Sequence, residues 1–147
     1  LGWRPFVLGR LNGPYVFASE TCALAIVCAA LEREVKPGEI IAIGPDGSLR
    51  SLERGAATKL HRCVFEYVYF ARPDSSVFGG SVDRARRALG RRLAQEHPAP
   101  GADLVFAVPD SSNSAALGFS EISGLPLELA LIRNHYVGRT FIQPTQS

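Results

Sequence analysis

The chain has 147 residues, of which 46% are hydrophobic and 20% charged, a balance typical of a folded globular domain. Its net charge of +2 gives no electrostatic reason to expect nucleic acid or a membrane surface as a partner, and no apolar run approaches the ~18 residues of a membrane-spanning helix. Three cysteines without a framework spacing argue against a disulfide scaffold and predict a reducing compartment, by default the cytoplasm.

Two β-hairpins are expected in the first third of the chain. Residues 4–8 and 15–18 are apolar segments on either side of Asn12-Gly13, a pair that tolerates the positive φ of a tight turn. Residues 39–43 and 48–52 flank a Gly-Pro-Asp-Gly turn in the same way. Both patterns predict short antiparallel strands.

A helix is expected between the two hairpins. Ser19 or Thr21 can cap its start, and Pro37-Gly38 would end it. The apolar residues that recur with the i, i+3, i+4, i+7 spacing of a helix face are Leu24, Val27, Cys28 and Leu31.

The middle of the chain predicts a linker, a strand and a helix. Residues 53–62 are polar and basic and form the linker, whereas the aromatic run 64–71 is of strand type. Residues 81–96 have an amphipathic helical pattern with arginines outward, and the inward side chains would be Val82, Ala85, Leu89 and Leu93. The arginine face predicts a solvated surface, since no aromatic side chains accompany it as they would in a nucleic-acid site.

The last third alternates between strands and helices. Strands are expected at 104–108 and 127–132, with a helix at 114–123 that Gly124 would end. From residue 81 onward the order helix, strand, helix, strand is typical of a parallel α/β sheet. The first third lacks that alternation, so the fold class is α+β or α/β with a boundary near residues 53–65.

A small, polar turn at 109–114 is the first candidate binding site. It lies at the carboxyl end of a predicted parallel strand and opens a helix, where ligands of such sheets bind. Unpaired N–H groups and a partial positive charge at a helix start favour phosphate oxygens. The alternative is that Asp110 and the serines simply cap the helix.

A second cluster of polar and basic side chains follows the last predicted strand, around Gly138. Its members are Arg133, Asn134, His135, Tyr136 and Arg139. Arginine suits bidentate recognition of phosphate. The alternative is a solvated surface loop.

The cysteines give weaker signals. Cys63 heads an apolar run, where a lone thiol is usually a small core residue, and Cys22 and Cys28 fit the core face of the predicted helix. His61 and Cys63 are poor support for a zinc site, because no second ligand pair is present.

Three motifs together point to a known family: CVFEYVYFARPDSS at 63–76, VFAVPDSSNSAALG at 105–118 and LIRNHYVGRTFIQPTQS at 131–147. They resemble the amidophosphoribosyltransferases, the glutamine phosphoribosylpyrophosphate amidotransferases, and the resemblance covers essentially the whole chain. Members of that family are roughly three to four times as long, a multidomain size. A chain that starts at Leu1 and contains no methionine fits an internal segment of such an enzyme.

The resemblance also implies a division of the chain. Residues 1–60 would be the C-terminal part of a glutaminase domain, an N-terminal-nucleophile sandwich. Residues 61–147 would be the first half of a type I phosphoribosyltransferase domain with its parallel sheet.

The resemblance assigns roles to individual residues. Ser111 would hold a Mg²⁺–phosphoribosylpyrophosphate complex, with Asp110, Ser112 and Asn113 around it. Tyr136 would couple the two active sites, and Arg139 would belong to a loop that closes over the substrate. In the iron–sulfur branch of the family, Cys63 would be one of four ligands of a 4Fe-4S cluster, its partners lying beyond Ser147.

The implied activity is that of a pentosyltransferase with glutamine amidotransferase activity. Such an enzyme makes 5-phosphoribosylamine from phosphoribosylpyrophosphate and glutamine in the first committed step of purine synthesis, and is expected to be a homotetramer. The glutaminase nucleophile is a cysteine at the mature start of the family enzyme, so these residues would include no catalytic group and catalyse neither half-reaction alone. The alternative is a non-catalytic, phosphoribosyltransferase-like binding or regulatory module.

Overall fold

The computed structural model describes residues 2–53 and 60–136, which form an α+β structure of short strands and three α-helices. The strands are β1 Val7–Arg10, β2 Tyr15–Ala18, β3 Ala30–Glu34, β4 Glu39–Ile43, β5 Leu49–Glu53, β6 Ser76–Val77 and β7 Gly80–Ser81. The helices are α1 Thr21–Ile26, α2 Val82–Glu96 and α3 Asn113–Ser123, and Glu66–Phe70 forms a π-helical turn. No helix in the described ranges is long and apolar enough to cross a membrane.

The two predicted hairpins are confirmed. Strands β1 and β2 pair antiparallel, and the turn between them places Asn12 at φ 50° and Gly13 at φ 117°. Both residue types tolerate this left-handed region, which explains why the pair marks the turn. Strands β4 and β5 pair antiparallel from Glu39 opposite Glu53 to Ile43 opposite Leu49.

The predicted first helix is too long. α1 ends at Ile26, its N-cap residue is Glu20 rather than Ser19 or Thr21, and Cys28 then adopts φ 58° to reverse the chain. The following residues form β3, which pairs antiparallel with β1 so that Leu31 lies opposite Gly9. Pairing with the second edge of β1 therefore overrides the helical spacing of the apolar residues, because it satisfies the backbone groups of both strands.

The run 64–71 is also not the predicted strand. Its residues form the π-helical turn, which is held from α2 by the buried side chain of Arg86. The guanidinium donates to the Tyr67 carbonyl oxygen at 2.6 Å and to the Ala71 carbonyl oxygen at 2.7 Å. Burial lowers the pKa of Arg86. One side chain thus donates hydrogen bonds to two carbonyl groups that would otherwise need N–H donors from a neighbouring strand.

The predicted helix α2 is confirmed and Val82 is buried as predicted, but the rest of its buried face is not the predicted one. Ser81 caps its start, accepting from the Arg84 N–H at 3.4 Å. Leu89 and Leu93 are each 50% exposed. The residues that are buried are Val82, Arg86, Gly90 and Ala94. The i, i+4 spacing of this set places the contact face one step around the helix from the leucines.

Two glycines explain that rotation, because they let α2 and α3 touch backbone to backbone. A Cβ atom at Gly90 would lie 1.9 Å from the Ala115 carbonyl oxygen, and one at Gly118 would lie 2.1 Å from the Arg87 carbonyl oxygen. At the exposed rim of this contact, Glu121 accepts from Arg91 at 2.7 Å. Any side chain at either glycine would push the helices apart.

The helix α3 begins one residue before its predicted start and ends as expected at Gly124, which has φ 74°. The parallel strands predicted on either side of it are reduced, in the described ranges, to one parallel bridge between Val105 and Leu127. Val105 accepts from the Glu128 N–H at 2.9 Å and donates to the Pro126 carbonyl oxygen at 2.8 Å. The parallel direction agrees with the prediction, but residues 2–53 and 60–136 contain no developed parallel sheet.

The segment around residues 63–79 packs on the first third of the chain. Glu20 accepts from the Arg72 N–H and from the Ser75 hydroxyl, both at 2.8 Å. Two small core clusters lie on either side of this junction. The first contains Val7, Leu24 and Ala29, and the second Ala71, Val77 and Val82. Residues 54–59 of the predicted linker lie outside the described residues, so the domain boundary stays a prediction.

The carboxylate of Glu39 fixes the connection between β3, β4 and β5. It accepts from the Arg33 guanidinium at 2.6 and 2.9 Å, from the Ser51 hydroxyl at 2.6 Å and from the Lys36 N–H at 2.8 Å. The hydrogen bonds from Arg33 are the largest cause that lowers the pKa of Glu39 from 4.5 to about 2. Charge-assisted, bidentate geometry accounts for this strength.

Glu39→Gln should remove an acid-sensitive contribution to stability. Because the folded-state pKa of Glu39 is depressed, its contribution is present above about pH 4.5 and is lost as pH falls toward about 2. Chemical denaturation at several pH values should show that the gap in unfolding free energy between wild type and Glu39→Gln closes across this range. Asp103→Asn, at an exposed position upstream of α3, is the control. A gap that stays constant with pH would contradict the assignment.

Gly90→Ala and Gly118→Ala should each destabilise the protein by about 2 kcal/mol or more, because the new methyl group has no room. In an exposed helix, replacing Gly by Ala stabilises by about 1 kcal/mol, so intrinsic helix propensity works in the opposite direction. Ala88→Gly, at an exposed position of α2, is the control for propensity. Denaturant unfolding measures the free energy of unfolding of all three variants. A Gly90→Ala variant as stable as the wild type would contradict the close contact.

Candidate functional site

The candidate site is the loop 109–113, which follows the extended segment through Val105 and enters α3. Its Pro109–Asp110 peptide bond is cis. The Asn113 N–H donates to the Asp110 carbonyl oxygen at 3.3 Å, and the Ser112 hydroxyl donates to the Val108 carbonyl oxygen. These bonds fold the loop into a tight turn. Asp110 and Asn113 are exposed there, whereas Ser111 is half-buried.

The structure argues against the simple capping interpretation of these residues. Within the described residues, no side chain caps the start of α3, and the helix has no acidic residue in its first turn. The Ser112 hydroxyl, the expected cap, is committed to Val108 instead. The partial positive charge of this helix start therefore has no compensating group from the helix itself, which favours an anion beside the loop.

Arg133 lies across the loop from α3 and pairs with Asp110. Its guanidinium donates to the Asp110 carboxylate at 3.2 Å, and both side chains are more than half exposed. Such a surface pair contributes little to stability. The pair matters because it places Arg133, the first residue of the basic cluster, beside the loop. The parallel direction of the segments that precede Asp110 and Arg133 puts their ends at the same edge.

The rest of the basic cluster is not brought to the loop by the described residues. Tyr136 is fully exposed, and its N–H donates to the Asn134 side-chain oxygen at 3.0 Å. Arg139 and the segment 137–147 lie outside the described residues. The roles expected for Tyr136 and Arg139 therefore stay predictions.

A cavity of about 350 Å³ opens beside the loop, between α2, the start of α3 and the segment near Leu127. Its acidic lining residues are Asp83 and Glu128. The Asp83 carboxylate accepts from the Ser114 hydroxyl at 2.7 Å and from the Arg87 guanidinium at 2.8 Å. Asp83 was not identified from the sequence as a site residue. Its one sequence signal is that it is an acidic residue in the first turn of a helix, and such residues stabilise helix starts in any protein.

Oxygen ligands for Mg²⁺ are available at the loop. The Asp110 carboxylate and the Ser111 hydroxyl are oxygens of the kind that this ion accepts, and Mg²⁺ commonly binds through one or two carboxylates together with substrate phosphates. The exposure of Asp110 leaves room for the remaining ligands. The donor set at the loop therefore fits an ion that arrives with a phosphorylated substrate.

The role expected for Cys63 in an iron–sulfur cluster stays a prediction, because its three partner ligands would lie beyond Ser147. A 4Fe-4S cluster needs four thiolates, and no group of three or more metal-binding side chains occurs in the described ranges. Cys63 is half-buried, and its N–H donates to the Trp3 carbonyl oxygen at 3.3 Å. Cys22 is buried as predicted, and burial raises the pKa of its thiol. The prediction for Cys28 was wrong, because it is exposed in the turn after α1.

Curated relatives match the chain over nearly its whole length. Amidophosphoribosyltransferase from Rhizobium etli is 51% identical over 150 residues, which cover 99% of this chain and 30% of that protein. The enzyme from Mycobacterium tuberculosis is 53% identical and covers 99% of this chain, which spans 27% of its length. The chain thus spans less than a third of these relatives. No protein-family model matches it.

Solved structures agree in fold. The structure described as the allosteric regulatory enzyme of purine biosynthesis superposes with a TM-score of 0.88 at 50% identity, covering 99% of this chain and 31% of its own. Glutamine phosphoribosylpyrophosphate amidotransferase from Bacillus subtilis, complexed with ADP and GMP, gives a TM-score of 0.86 at 50% identity over 97% of this chain and 31% of that one.

Proposed function

Because the chain belongs to the amidophosphoribosyltransferase family, we propose that the protein containing it makes 5-phosphoribosylamine from phosphoribosylpyrophosphate and glutamine. The observation that carries the proposal for these residues is the loop 109–113. It ends an extended segment, opens α3 without a side-chain cap and lies opposite Arg133. A small turn of this kind, with one arginine beside it, suits the pyrophosphate end of the sugar substrate.

In this proposal each loop residue has a distinct role. Backbone N–H groups at the start of α3 donate to pyrophosphate oxygens, and the small side chains of Ser112 and Asn113 let the ligand come close. The Asp110 carboxylate and the Ser111 hydroxyl hold Mg²⁺ together with the substrate. When bound, Mg²⁺ neutralises charge on the pyrophosphate leaving group.

Arg133 would exchange its partner when substrate arrives. In the structure its guanidinium pairs with the Asp110 carboxylate at 3.2 Å in an exposed position. Such a pair is weak, so a phosphate group can compete for the guanidinium and release Asp110 for the metal. Tyr136 and Arg139 would belong to the loop that closes over the substrate and excludes water, which otherwise competes with ammonia.

The two parts of the chain would serve the two reactions. Residues 1–60 would belong to the glutaminase sandwich that supplies ammonia, which the antiparallel strands β1 to β5 support. Residues 61–147 would belong to the type I phosphoribosyltransferase sheet, which the parallel bridge supports. Residues 1–147 alone would catalyse neither half-reaction. A homotetramer remains a prediction of the family resemblance, and the cytoplasm remains a prediction of the cysteine usage.

Asp110→Asn should weaken binding of Mg²⁺–phosphoribosylpyrophosphate by about ten-fold or more, because one charge-assisted contact is worth about 1.5–3 kcal/mol. The measurement is titration calorimetry on the complete protein, together with ammonia-dependent release of pyrophosphate. Asp103→Asn is a matched control, since Asp103 is also exposed and lies just upstream.

Unchanged affinity in Asp110→Asn would contradict the assignment of the loop. Binding of phosphoribosylpyrophosphate by the wild-type protein without any release of pyrophosphate would instead favour the non-catalytic binding module over the enzyme.

A further inference from the structure

Asp83 joins the start of α2 to the start of α3. Its carboxylate accepts from the Ser114 hydroxyl at 2.7 Å with one oxygen and from the Arg87 guanidinium at 2.8 Å with the other. Ser114 is buried, with 8% of its surface exposed, in the first turn of α3 directly after the loop 109–113. The hydrogen bond therefore holds the point at which the loop becomes a helix.

The main chain of Asp83 is itself fixed. The Asp83 N–H donates to the Pro73 carbonyl oxygen at 3.1 Å, and the neighbouring Val82 N–H donates to the Ser75 carbonyl oxygen at 3.1 Å. Ser75 in turn donates its hydroxyl to Glu20 at 2.8 Å. The carboxylate thus projects from a backbone that is bonded to the segment packed on the first third of the chain.

The helix contact makes the position of Ser114 sensitive to Asp83. The backbones of α2 and α3 touch at Gly90 and Gly118, so the helices cannot come closer, and moving apart would open voids in this close-packed contact. Sliding or rotation along the contact is the remaining freedom, and the Asp83–Ser114 bond opposes it at the end nearest the loop. Catalytic and binding groups lose much of their effect when they are misplaced by an ångström.

We propose that Asp83 is a positioning residue for the pyrophosphate loop: by accepting the Ser114 hydroxyl, it sets where the N–H groups of residues 110–114 point. This proposal rests on the proposed function, since it assigns the loop to pyrophosphate. Asp83 need not touch the substrate. Its second partner, Arg87, orients the carboxylate through a hydrogen bond to its other oxygen.

The binding test uses Mg²⁺–pyrophosphate as the probe and titration calorimetry on the complete protein. Asp83→Ala and Ser114→Ala should each weaken binding by about ten-fold, the scale of one hydrogen bond to a charged group, and the double variant should lose no more than either single one. Asp83→Asn and Ser114→Thr keep an acceptor and a hydroxyl, so they should retain most of the affinity. Glu96→Ala, which removes an exposed carboxylate from the other end of α2, is the control.

Additive losses in the double variant would overturn the proposal, as would a loss in Asp83→Asn equal to that in Asp83→Ala. Equal affinity in wild type and Asp83→Ala would do the same. A purely structural role for Asp83 would lower the melting temperature of the variants but leave the pyrophosphate affinity of the folded protein unchanged.

Hydrogen exchange without ligand separates this proposal from the proposed function. In Asp83→Ala and Ser114→Ala the amides of residues 110–116 should exchange faster, while those in the middle of α2 keep their protection. If the wild-type protein fails to bind pyrophosphate, the assignment of the loop falls, and the exchange result still decides whether Asp83 positions it. Unchanged exchange at residues 110–116 would overturn the positioning role.

Discussion

The close contact between α2 and α3 is the constraint on which the candidate site depends. Gly90 and Gly118 let the backbones touch, so a Cβ atom at either position would lie about 2 Å from a carbonyl oxygen of the other helix. This contact turns α2 so that Arg86 is buried and Asp83 faces Ser114. The start of α3, and with it the loop 109–113, is placed as a consequence.

Much of the fold follows from local signals in the sequence. Asn12-Gly13 marks the first turn, Ser81 caps α2 and Gly124 ends α3, and each of these works through the backbone angles or N–H groups of its immediate neighbours. The wrong secondary-structure predictions occur where a partner distant in sequence determines the local structure. Leu31 lies in a strand rather than a helix because that strand pairs with the free edge of β1. The run 64–71 forms a helical turn rather than a strand because Arg86 donates hydrogen bonds to two of its carbonyl groups.

The same distinction applies to the candidate site. The loop itself could be predicted, because small polar residues at a strand-to-helix junction have a local meaning. Its contacts could not, since Arg133 and Asp110 are 23 residues apart and Ser114 and Asp83 are 31 apart. Nothing in the sequence near Asp83 distinguishes it from an ordinary acidic residue at a helix start. Asp83 is important because of how α2 packs on α3, and that packing depends on Gly90 and Gly118, which are not its neighbours in sequence.

The central claim is that the loop 109–113 receives a diphosphate. A crystal structure of the complete protein with Mg²⁺ and phosphoribosylpyrophosphate tests it most directly. The account predicts pyrophosphate oxygens within hydrogen-bond distance of the N–H groups that open α3, with Arg133 moved from Asp110 to the ligand. Substrate bound elsewhere, with the Arg133–Asp110 pair intact and the loop empty, would contradict it.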